Sequence, residues 1–460
     1  MTNSAVGTRD TPRLTSPSGT VVFALKGLVL PYLFLSLLFF GLVQIQHALF
    51  GRVFLLHQHL RLAGLLGTLA ASVAYVFQRS RLRIEQPRLV VFVIVYAAYL
   101  VLDFLAKWTT GQVALPALIY AETYLYFYAF FLLVILVLVS NVATGPVVRV
   151  ERDAFRQLYL WAVPVFALGY VQFLLNKPLL TVSDESGYVV EAYIPTAISH
   201  VRAFSVFGSG FAYGHFAVLV GSLATSALLT GRARVRRRFI GLLLAATMAV
   251  VTTLTRTSYL ELVFTLSGVL FIRWAIQRDW NGWRIIGASI LLGSATYGGI
   301  LAFFFAARGM ARGILDVGTF GIRLLGVAGV VRRFFLDLSA PGPILFGHGY
   351  IQGPKFAELQ GIRTLIFDNT YVDIALFSGV VGLVLYLVFF LLLFAHVVRK
   401  YRQTGSYWWL ALAGMYFSYP LVAAINIYVS ILYLITCLVL AYDALSKRGV
   451  VGLQASPAPT

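Results

Sequence analysis

Twelve runs of predominantly apolar residues, each about long enough to cross a lipid bilayer as a helix, constrain this chain more than any other feature. The hydrocarbon core asks for about twenty such residues per crossing. The runs fall at 21–43, 60–77, 89–106, 118–140, 158–175, 211–230, 239–254, 257–276, 285–305, 371–397, 407–424 and 428–445. Only Thr255 and Arg256 separate the seventh from the eighth, so one bent segment also fits there. Composition agrees: 60% of the 460 residues are hydrophobic and 12% charged, where water-soluble proteins carry about a quarter charged. There is too little polar surface to cover a water-soluble core. The expected fold is an all-α polytopic membrane protein with about 12 transmembrane helices. A single transmembrane domain over 21–450 would lie between disordered cytoplasmic tails at 1–20 and 451–460. The first run is too long for the apolar part of a cleavable signal and lacks a small-residue cleavage site. Cys437, the single cysteine, excludes an intramolecular disulfide and multi-cysteine zinc motifs. No repeat of fixed period is present, and the halves do not mirror one another, which argues against an inverted-repeat transporter.

Charge gives the orientation. The net charge of +19 comes from 36 Lys and Arg against 17 Asp and Glu. In a chain this apolar, loop arginines that set topology or meet anionic lipid account for it, and no nucleic-acid partner is expected. With twelve spans and a cytoplasmic amino terminus, every inward connection is basic. The densest is GRARVRRRF, with Arg232, Arg234, Arg236, Arg237 and Arg238. Arg79 to Arg88, Arg149 to Arg156, Arg273 to Arg284, and Arg399 to Arg402 follow the same rule. Both termini are therefore expected in the cytoplasm.

Two outward connections, 176–210 and 306–370, hold most of the remaining positive charge. Long loops are commonly functional. The second carries apolar residues at helical spacing up to Pro341, which predicts amphipathic helices on the outer leaflet, broken by PGP at Pro341–Pro343 and by GHG at Gly347–Gly349. Within VTTLTRTSYLELVF, Arg256 stands between two apolar spans. Its planar donors match phosphate oxygens at any relevant pH. Interfacial snorkelling is the alternative for any outer arginine, and Glu261 offers a neutralising partner for this one. Asp368 precedes Asn369 where the long loop enters span ten. It fits either a helix cap or a general base whose basicity is raised at the lipid boundary. Asp373 lies one turn after Asn369 and supports the same face.

LFGHGY (Leu345–Tyr350) followed by FDNTYVDIALFSGVVGLVLY resembles the carboxy-terminal signature of the O-antigen ligase and O-antigen polymerase (Wzy-like) superfamily. TLTRTSYLELVF resembles that family's Thr-x-Ser-Arg helix start, HVRAFSVFGSGFAYGHFAVLVG its arginine-containing stretch before span six, and Arg323 falls where the family carries an arginine in its outer loop. The similarity covers about residues 195–395. It implies a GT-C-like, metal-independent glycosyltransferase without cofactor, in the bacterial inner membrane, with its active site facing the periplasm or exterior. The donor would be an undecaprenyl-diphosphate-linked oligosaccharide. A chain-length regulator and a flippase of the same pathway would be partners, alongside the bilayer. Carried over, Arg202, Arg256 and Arg323 would hold the diphosphate and Asp368 would be the base. His348, Asn369, Tyr371 and Asp373 would line the substrate site. The family's ligases place His where this chain has Asp368, which favours polymerase over ligase. Position 255 is Thr rather than Ser, and Tyr213 and His215 stand where an Asn is usual.

A transporter or flippase of an anionic amphiphile remains the competing class, and a related enzyme with a non-saccharide acceptor is a third. His57 and His59 lack carboxylate neighbours and do not make a metal site. Asp103 and Lys107, at i and i+4, are expected to pair at the outer end of span three. Tyr120, Tyr124, Trp408 and Trp409 are expected in an interfacial belt.

Overall fold

The computed structural model describes residues 63–70, 73, 84–111, 122–142, 151–177, 200–207, 210–230, 236–306, 341–347, 369–425 and 429–446. Among these residues every regular element is helical. Beyond a helical stretch at 63–70, the order is α1 (Pro87–Thr109), α2 (Glu122–Val142), α3 (Glu151–Leu175), α4 (Gly210–Leu229), α5 (Arg236–Thr252) and α6 (Arg256–Gln277). It continues with α7 (Gly282–Ala306), α8 (Pro341–Phe346), α9 (Thr370–Thr404), α10 (Tyr407–Ile425) and α11 (Val429–Ser446). Four of them, α1, α4, α6 and α9, are long and apolar enough to cross a membrane. Exposed leucines and valines along them, such as Val91, Leu102, Val263 and Val384, suit lipid contact. The chain is a helical membrane protein.

Local signals set the helix ends. Pro87 opens α1, where its missing N–H costs nothing. Gly405, at φ 62, closes α9 with a left-handed cap that donates to the Tyr401 carbonyl. Between α5 and α6 the chain makes a true turn at Thr253–Thr255, with Leu254 at φ 50, so the seventh and eighth apolar runs are separate helices.

α4 is the centre: 83% of its apolar stretch is buried, against 33–44% for the other three long helices. α5, α6 and α10 pack around it. Where α6 meets α10, Gly268 and Gly414 let the backbones close in; a Cβ on Gly268 would lie 2.7 Å from Phe417 Cβ, and one on Gly414 2.8 Å from the Thr265 carbonyl. Small residues serve this purpose in membrane helix pairs, because lipid supplies no hydrophobic drive between helices. Thr265 and Ser418 hydroxyls join across the same seam at 2.8 Å. The α9–α10 seam is aromatic, with Phe390 stacked on Tyr416 and Tyr419 at 5.2 and 5.1 Å between ring centroids. The buried phenols there are hydrogen-bonded, Tyr386 to Tyr419 at 2.7 Å and Tyr416 to Thr436 at 3.0 Å.

One end of the bundle is basic. Arg236, Arg237 and Arg238 are exposed there, Lys400 Nζ meets Glu85 Oε2 at 2.6 Å, and Arg402 donates to the Trp280 carbonyl. Glu85 N–H reaches the Asn141 carbonyl, and Phe239 packs edge-on against Tyr407, so the loops of this end are tied together. Trp408 and Trp409 also lie at this end but do not form the expected belt. They are 4% and 3% exposed, inside the core. Both sit on α10, whose neighbours on several sides leave little of it for lipid. Among the described residues the exposed tryptophans are instead Trp108, Trp274 and Trp283, near helix ends, and Trp161, in the middle of α3. The side chains of Tyr120 and Tyr124 lie outside the described residues, as do His57 and His59. The amphipathic helices expected ahead of Pro341 lie outside the described residues, and what is described of 307–368 is α8 with Gly347. There the PGP run begins a short helix, and Gly347, at φ 80, ends it.

Candidate functional site

At the end opposite the basic loops, the stretch 200–207 is stitched across α3 and α5. Val201 N–H donates to Asn176 Oδ1 at 2.7 Å, and His200 Nε2 lies 2.8 Å from the Phe173 carbonyl. Gln172, fully buried in α3, spends its whole amide here. Its Oε1 accepts from the Phe204 and Ser205 amides at 3.2 and 2.7 Å, and its Nε2 donates to the Ser205 carbonyl at 3.0 Å. Ser205, in a left-handed conformation at φ 51, donates through Oγ to the Val165 carbonyl at 2.6 Å. Ala203 N–H donates to the carbonyl of Thr252, the last residue of α5. These bonds fix the backbone around Arg202, whose side chain is half-buried.

The same contact with Thr252 brings Arg202 to the α5–α6 turn. Thr253 and Thr255 hydroxyls are 2.7 Å apart, and Thr255 Oγ1 donates onward to Ser258 Oγ at 2.7 Å. Thr255 precedes α6 in an extended conformation, yet its side chain does not cap the helix, because its hydroxyl is committed to these neighbours. Arg256 is the first residue of α6 and is exposed. A cation at the positive end of a helix dipole is mildly unfavourable for stability, by about 0.3–1 kcal/mol. A helix start beside a guanidinium does, however, suit an anion. Tyr259, one turn on, donates to the Val251 carbonyl at 2.9 Å and lies within the electrostatic reach of Arg202. Arg202 and Arg256 therefore flank one turn, although they stand 54 positions apart in the sequence (256 − 202).

Glu261 does not serve Arg256. It is 4% exposed, faces the interior and meets His215 Nδ1 of α4 in a buried contact. Tyr213 is likewise fully buried on α4.

The α9 start completes this end. Asn369 caps the helix, its Oδ1 accepting from Val372 N–H at 3.1 Å, while its Nδ2 donates to the Ala424 carbonyl at 2.9 Å. Tyr371 Oη donates to the Pro420 carbonyl at 3.1 Å. Asp373 is half-buried, and its amide donates to the Asn369 carbonyl. The α6–α10 register, with Thr265 beside Ser418, runs antiparallel and carries the start of α6 toward the end of α10, where Asn369 is anchored. Arg202, Arg256 and Asn369 thus share one end of the bundle. The N-cap position of α9 is Asn369. Asp368, Arg323 and His348 lie outside the described residues.

Sequence reasoning missed Gln172 and underrated Glu261 with His215. The signal was available: a polar side chain inside an apolar span has to find partners.

No protein-family model matches the chain, and no curated protein matches it significantly.

Proposed function

We propose that this protein is a polymerase of a surface polysaccharide, such as an O-antigen, capsule or exopolysaccharide. It transfers an undecaprenyl-diphosphate-linked oligosaccharide to a sugar hydroxyl on the outer face of the bacterial inner membrane. In this reading the chain crosses the membrane twelve times in a GT-C-like arrangement, with both termini cytoplasmic and the Arg202–Arg256 end outward. The acceptor oxygen attacks the anomeric carbon, the bond from that carbon to the diphosphate oxygen breaks, and the lipid diphosphate leaves with the electron pair. The hydroxyl proton passes to Asp368. Negative charge grows on the leaving diphosphate, so guanidinium groups fixed around it stabilise the transition state. No metal is assigned to this step; Arg202, Arg256 and Arg323 carry the charge. Asn369, Tyr371, Asp373 and His348 line the acceptor side.

One observation supports this reading above others: Arg202 and Arg256, from separate elements, flank the start of α6 at the end that also holds the α9 cap. A ligase acting on another acceptor would use the same groups. The transporter reading also has an observation in its favour, the interruption of α9 at Gly379 beside a buried Lys–Asp pair, because broken helices and buried charges mark transport sites.

The test is reconstitution with lipid-diphosphate-linked oligosaccharide and gel analysis of the product. A ladder of repeat lengths supports a polymerase, and transfer of one block to a different acceptor supports a ligase. Translocation of the lipid without any transfer would sink both.

A further inference from the structure

Tyr99, Asp103 and Lys107 lie one turn apart on one face of α1, and that face meets the point where α9 is interrupted. Gly379, at φ 70 and ψ −174, breaks an otherwise helical run. A break of this kind removes the amide partners of the preceding carbonyls. α1 supplies replacements: Lys107 Nζ donates to the Phe377 carbonyl at 2.5 Å, and Tyr99 Oη to the Ser378 carbonyl at 2.6 Å.

The Lys107 ammonium also donates to the carbonyl of Phe346, the last residue of α8, and to Asp103 Oδ2 at 2.7 Å. An ammonium has three protons, and here each has an acceptor. α8 and α9 touch backbone to backbone at this point. A Cβ on Gly347 would lie 2.5 Å from the Phe377 carbonyl carbon, and one on Gly379 would lie 2.1 Å from the Leu345 carbonyl oxygen. Asp103 and Lys107 are 8% and 5% exposed. Removing two charges from water costs several kcal/mol per ion, so an apolar pair would hold two helices together equally well. What the ammonium adds is one fixed point for two helix ends.

We infer that Tyr99, Asp103 and Lys107 form a positioning device for the leading segment of α9, Thr370–Ser378. That segment is held at its far end by Asn369 on Ala424 and Tyr371 on Pro420, and at the break by Tyr99 and Lys107. Its tilt sets where Asn369, Tyr371 and Asp373 stand relative to Arg202 and Arg256. The functional half of this inference rests on the glycosyl-transfer reading; the mechanical half does not.

The experiment uses the full chain in lipid nanodiscs and two variants. Tyr99→Phe removes a single oxygen. Asp103→Leu with Lys107→Met removes both charges together, so that neither is left alone in the interior. Hydrogen exchange is followed at the amides of 370–382, with α4 and α6 as internal references, together with kcat and KM for the lipid-linked oligosaccharide. In both variants exchange at 370–382 rises about tenfold or more while α4 and α6 stay unchanged. kcat falls about tenfold or more while KM changes less than about twofold, because the donor-binding arginines sit on other elements. Unchanged exchange at 370–382 overturns the device whatever the activity; if the double variant does not fold, Tyr99→Phe alone decides. Faster exchange with unaltered kcat overturns the positioning role and leaves the transfer reading intact. If the unmodified protein transfers no sugar, the transfer reading falls and exchange alone judges the clamp.

Discussion

Arg256 is exposed at the first turn of α6, and Glu261 is turned into the core against His215. Because the residue is exposed, Arg256→Ala is predicted to change the melting temperature little, while lowering transfer by about a hundredfold or more, as loss of one charge-stabilising donor does elsewhere. Thermal unfolding in detergent and the transfer assay read the two effects separately. The buried pair behaves in the opposite way. His215→Ala removes the partner of the buried Glu261 carboxyl and should destabilise the protein by about 1–3 kcal/mol, whereas His215→Phe combined with Glu261→Leu should cost less than either single change. A double variant less stable than both singles would contradict this account of the pair. Gln172→Leu removes three hydrogen bonds from the stretch that carries Arg202. It should cost about 1–3 kcal/mol and lower transfer as well, since the Phe204 and Ser205 amides lose their acceptor.

The helices were legible in the sequence because apolar runs of the right length have few other folds open to them. The breaks were legible only in part. The α5–α6 turn had a marker in the polar TLTRTS segment, and Asn369 was marked as the start of α9. The interruption at Gly379 was not apparent, because GVVG reads equally well as small-residue helix packing. Its cause is tertiary: the α1 groups that stabilise the broken form are more than 270 residues away from it in sequence. For the same reason the Asp103–Lys107 pair, expected from its spacing, gave no hint that it also binds the Phe346 and Phe377 carbonyls. Trp408 and Trp409 failed as belt residues because hydropathy says where a helix ends and not which helix lies innermost. At this scale, Gly414→Leu is predicted to push α6 from α10 and destabilise the bundle by about 1–3 kcal/mol or more. An unchanged melting temperature would mean that the two helices do not cross at Gly268 and Gly414.

For the molecule as a whole, two chemically different ends face each other across an apolar middle. One carries exposed Arg236–Arg238, and the other joins Arg202, Arg256 and Asn369. The positive-inside rule predicts that the first faces the cytoplasm. The buried Cys437 leaves little background for cysteine labelling. Thr109→Cys and Asn176→Cys are expected to react with an impermeant maleimide from outside intact cells, and Asn281→Cys only after permeabilisation. The reverse pattern would invert the orientation and put the arginines on the wrong side for an outer-face transferase. The central claim is that Arg202 and Arg256 act together on a lipid diphosphate. Its most direct test is the glycan ladder made from lipid-linked oligosaccharide by Arg202→Ala, Arg256→Ala and the double variant at equal protein level. The account predicts that each single change shortens or abolishes the ladder and that the double loses less than the product of the two. A ladder of normal length and amount from both single variants would contradict it.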